Sequence, residues 1–126
     1  MRLQLQFVQN LITSIHTPVS MAKIKITVLS KIDPSVVFKG NVPNMPRSGK
    51  PYEICTAFEE GQEFITEDRA RPEGFCGWAW NDIQKDLSVL DFGGSFWPDW
   101  MEPGKMITCC TDGVRPVSFK MERIEE

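Results

Sequence analysis

Residues 106–124, MITCCTDGVRPVSFKMERI, decide the fold class because they join a turn signal to an alternating apolar strand. Asp112-Gly113 suits a two-residue hairpin turn in which both central residues take positive φ. On the return strand Val117, Phe119 and Met121 alternate as one buried face. The stretch therefore reads as a β-hairpin carrying Cys109 and Cys110 beside its turn. Neighbouring strand residues point to opposite faces, so only one of these thiols faces the core. A two-residue turn pairs Cys110 with Arg115 and sets it on the face of Val117 and Phe119, while Cys109 falls opposite Pro116. A longer loop through Val114 and Pro116 would slip the register by one residue and exchange the two.

Upstream, KIKITVLS at residues 23–30 alternates Ile24, Ile26 and Val28 with Lys23, Lys25 and Thr27, the pattern of a half-buried strand. Asp33 reads as an N-cap, Pro34 as a first helical residue and Gly40 as the stop of a short helix. Residues 41–52 hold Pro43, Pro46, Gly49 and Pro51, too many breakers for a regular element, and this loop leads to Cys55. Glu59-Glu60-Gly61 turns the chain into a short strand at residues 63–66. A main helix follows over residues 77–92, where Trp80, Ile83, Leu87 and Leu90 recur at three- and four-residue steps before the Gly93-Gly94 stop. Together these elements predict an α+β fold: a small antiparallel sheet with a C-terminal β-hairpin, packed against one main helix.

With 126 residues the chain suits one domain able to bury a real core. Residues 21–126 carry the patterned elements. Residues 1–20 contain His16, the sole histidine, and read as an N-terminal extension outside the core domain; they are too polar for a signal-peptide core and too short for a membrane span. The net charge of -3 gives no electrostatic reason to bind nucleic acid or anionic lipid, so neither partner is expected. Four cysteines without a secretory signal read as reduced thiols in a cytoplasmic protein.

The segments KITVLSK, FEEGQEFI, RPEGFCGWAWNDI and MITCCTDGVRPVSFKMERI resemble a family of small uncharacterised conserved hypothetical proteins of anaerobic bacteria and archaea. The likeness covers about residues 22–126. It implies a prokaryotic cytoplasmic setting and a common domain that excludes the first twenty residues, and it supplies no catalytic residues to carry across.

Chemistry-bearing residues gather in the second half of the chain. Cys76 precedes the main helix, where unpaired N–H groups and the helix dipole favour a thiolate, although a small buried packing residue is the simpler role. Cys55, Cys76 and Cys110, with Cys109 as the substitute if the hairpin register slips, are the candidate ligands of a zinc or iron–sulfur centre; no C-x-x-C pair supports it. Trp78, Trp97 and Trp100 cannot all face one interior, so at least one of them rims a cleft or touches another subunit. Arg115 either pairs with Asp112 or holds an anionic ligand beside Cys110. The chain has no phosphate-cradling glycine loop, no G-x-S-x-G elbow and no H-E-x-x-H helix.

Three function classes follow. The leading one is a protein that binds a small ligand or metal in a thiol-lined recess rimmed by aromatic side chains. Second is a thiol-dependent or redox enzyme using Cys76, and third a structural or interaction protein that forms a homodimer through Trp97 and Trp100.

Overall fold

The computed structural model describes residues 22–124; the extension expected over residues 1–20, His16 included, lies outside them. Strand β1 (Lys23–Lys31) buries Ile24, Ile26 and Val28 and turns Lys23, Lys25 and Thr27 to the other face. Strand β2 (Glu63–Thr66) buries Phe64 and Thr66, and β4 (Val117–Ile124) buries Val117, Phe119 and Met121. With β3 (Lys105–Cys109) they form one antiparallel sheet in the order β2-β1-β4-β3. Strand β1 is bulged at Leu29, where the pairing with β4 shifts between Val28 and Ser30.

One face of the sheet is covered by helices. A short α1 (Pro34–Val37) begins at the Asp33 N-cap, whose carboxylate accepts from the Ser35 N–H at 2.8 Å. The chain then crosses from β2 at one sheet edge to β3 at the other, carrying α2 (Gly77–Asp82) and α3 (Gln84–Asp91). Their Ala79, Ile83, Leu87 and Leu90 pack on the inward strand residues, giving the expected α+β arrangement. The single main helix, however, is two segments meeting at Ile83. The Gln84 side chain donates to the Trp80 carbonyl at 2.7 Å, an acceptor that the Gln84 backbone N–H would use in a continuous helix. Among the described residues no helix is long and apolar enough to cross a membrane.

The core centres on a loop residue. Phe58 is 2% exposed and meets Phe64, Phe75 and Phe119 edge-on, at centroid distances of 5.9, 5.0 and 5.1 Å. It joins the β2 edge, the approach to α2 and the central strand β4 into one cluster.

The hairpin turn differs from the sequence expectation. Cys109 pairs with Ser118, and the Cys110 N–H donates to the Val117 carbonyl at 3.0 Å, so residues 111–116 form a longer connection. Gly113 does not adopt the positive φ that a two-residue turn requires. The Asp112 carboxylate instead organises the loop, accepting from the N–H groups of Val114 at 3.0 Å and Arg115 at 3.2 Å. The pairing is displaced by two residues from the two-residue-turn register, so each side chain keeps its face.

Candidate functional site

A recess of about 590 Å³ opens where α2 approaches the β3–β4 connection. Its floor is apolar, formed by the buried Phe58, Ala79 and Val117. Three thiols from three separate segments reach it: Cys55, Cys76 and Cys110.

Each thiol is placed by its own device. The Lys31 ammonium at the end of β1 donates to the Cys55 carbonyl at 3.0 Å, and the Cys55 sulfur accepts from the Ala57 N–H at 3.4 Å. Cys76 is the residue before α2, its carbonyl accepting from the Trp80 N–H at 2.9 Å while its side chain packs on the core. Cys110 continues the β3 ladder beyond its last strand residue, and its sulfur accepts from the Val117 N–H at 3.3 Å. Cys110 is thus the thiol of the vicinal pair that packs against the core, and Cys109 is exposed on the opposite side.

The polar wall is built by two carboxylates. Asp82, in the last turn of α2, accepts from the Thr111 N–H at 2.8 Å and from its hydroxyl at 2.9 Å, clamping the helix to the loop. Asp112 accepts from the Arg115 Nε at 3.3 Å in addition to its two backbone bonds. Burial alone would raise the Asp112 carboxyl, but the N–H groups of Val114 and Arg115 and the Arg115 side chain outweigh it and hold the group below the usual carboxylate value. Arg115 thus pairs with Asp112 through Nε and also lines the recess.

Comparison with protein-family models, with curated proteins and with solved structures gives no match to this chain.

Of the sequence candidates, Cys55, Cys76, Trp78, Cys110 and Arg115 line this one recess. Trp97 and Trp100 do not; both are exposed in the segment between α3 and β3. Among the described residues no group of three or more His, Cys, Asp and Glu side chains that could hold a metal ion is found.

Sequence reasoning missed Asn81, Asp82 and Thr111, which also line the recess. A signal existed for the first two. Trp78, Asn81 and Asp82 stand three and four residues apart, the spacing that shares one helix face, so the flagged tryptophan pointed to its neighbours. Phe58 lies in a loop with no periodicity and offered no such clue.

Proposed function

We propose that this protein binds a small molecule in the recess between α2 and the β3–β4 connection. The observation that carries the reading is the convergence of Cys55, Cys76 and Cys110 with an apolar floor and a polar mouth in a volume suited to a small ligand. A thiol-dependent reaction at Cys76 is the less favoured alternative, because the two carboxylates that line the recess, Asp82 and Asp112, have both oxygens engaged by the loop. A fragment screen followed by backbone amide and indole NMR tests the binding reading. Fragments that bind should shift the Trp78 indole and the amides of Ala79, Thr111 and Val117, while those of β2 stay in place. A library that moves none of these signals, or moves only distant ones, counts against it.

A second reading is supported by a separate observation. Trp97 and Trp100 are 60% and 69% exposed, with Phe92 nearby in the chain at 73%, more aromatic surface than a small domain ordinarily leaves in water. It favours self-association through this segment. Sedimentation of the full chain over a wide concentration range should show a dimer that Trp97→Ala with Trp100→Ala dissociates; a monomer at every concentration excludes it.

A further inference from the structure

The polar groups of the recess divide into those already partnered and those left open. Asp82 accepts two bonds from Thr111, and Asp112 accepts from Val114 and Arg115, so the carboxylate oxygens are occupied. The sulfurs of Cys55 and Cys110 each accept a backbone N–H. Arg115 uses only Nε, and its two terminal nitrogens have no hydrogen-bond or ion-pair partner among the described residues. Trp78, 79% exposed at the mouth, adds an indole N–H. The Asn81 amide, also without a hydrogen-bond partner among the described residues, adds both donors and an acceptor, and the guanidinium edge of Arg115 matches the two oxygens of one carboxylate.

Charge narrows the class. Asp82 and Asp112 against Arg115 leave the lining with one net negative charge. That field opposes any anion and a dianion more strongly, so among anionic ligands only a single carboxylate with both oxygens held by Arg115 is compatible with it.

Resting on the binding reading above, we infer that the ligand is a small monocarboxylic acid. Its carboxylate sits on the terminal nitrogens of Arg115 and its apolar body lies on Phe58, Ala79 and Val117 beside the thiols.

Iodoacetate and iodoacetamide test this directly on the full chain. Both alkylate a thiolate with loss of iodide, and they differ in carrying a carboxylate or a neutral amide. Exposed Cys109 serves as the internal reference, its modification resolved from that of Cys110 by peptide fragmentation. The iodoacetate-to-iodoacetamide rate ratio at Cys76 or Cys110 is expected to exceed that at Cys109 by about 10-fold, the size of one charged hydrogen-bonded contact. Arg115→Gln should return the ratio to the Cys109 value and Arg115→Lys should restore part of it, each in protein that still melts cooperatively. In the unmutated protein, benzoate should slow iodoacetamide at the recess thiols, while benzamide and inorganic phosphate at the same concentration should not. A ratio equal to that of Cys109, indifference to Arg115→Gln, or better protection by phosphate than by benzoate overturns the carboxylate inference alone. If iodoacetamide labels Cys109 and leaves Cys55, Cys76 and Cys110 untouched, the recess is closed to small molecules and the binding reading falls with the inference.

Discussion

Cys110 serves two structures at once. Its sulfur replaces a carbonyl as the acceptor for the N–H of buried Val117, and the same side chain forms part of the recess wall. Cys110→Ala leaves that N–H without an acceptor and is expected to cost about 1–3 kcal/mol, whereas Cys110→Ser keeps an acceptor and should lose less. Urea unfolding of both variants checks the order; equal stabilities would show that the sulfur contact contributes nothing. Asp91 is the opposite kind of residue. Its side chain is 1% exposed, its Oδ2 has no hydrogen-bond partner, and the Arg69 Nε lies 3.7 Å away. Desolvation raises its pKa, the Arg69 charge offsets part of the rise, and Asp68 adds to it. The folded protein therefore holds this proton more tightly than the unfolded chain does. Stability from Asp91 is complete below the unfolded value and is lost as pH rises through the folded one. The stability of Asp91→Asn relative to the unmutated protein should accordingly increase from acid to neutral pH, read by urea unfolding across that range, and a pH-independent difference would contradict the assignment.

At the scale of elements, side-chain bonds, local and long-range, set where helices and turns begin and end. Helix α3 finishes with Arg123 of β4 donating to the carbonyl of Leu90 at 2.9 Å, which also accepts from the Gly93 N–H at 3.1 Å, and to that of Gly94 just beyond the helix at 3.1 Å, so a strand residue reinforces the helix end. Arg123→Gln should cost about 1–3 kcal/mol and speed amide exchange over residues 90–94. Unchanged exchange there would mean the last turn is held by its own Gly93-Gly94 bonds. Strand β2 and the N-cap of α1 were legible in advance, because four alternating residues and an Asp-Pro pair act locally. The break at Ile83 and the loop at residues 111–116 were not. Gln84 and Asp112 each use a side chain where the regular pattern would use the backbone, and composition alone does not say which group wins.

Across the whole molecule, one loop phenylalanine ties the layers together. Phe58→Ala is expected to cost about 3–5 kcal/mol, since it removes a fully buried ring at the junction of Phe64, Phe75 and Phe119. A loss under about 1 kcal/mol in urea unfolding, the cost of a well-tolerated core change, would place the centre of the core elsewhere. The same ring floors the recess, so the variant should also blunt the fragment-induced shifts at Val117. The alternation in β1 and β4 and the helical spacing of Ile83, Leu87 and Leu90 determined the α+β layering from the chain alone, because periodicity marks which side of an element must leave water. Side-chain chemistry, not periodicity, put Cys55, Cys76, Trp78, Cys110 and Arg115 forward as parts of one thiol-lined recess, without fixing what would bring them together. Their meeting depends on contacts distant in sequence: Lys31 with Cys55, Asp82 with Thr111, and the Cys110 exchange with Val117. Periodicity reports which face of an element is buried; only the packed tertiary structure decides which faces, loops and side-chain bonds arrive at one place.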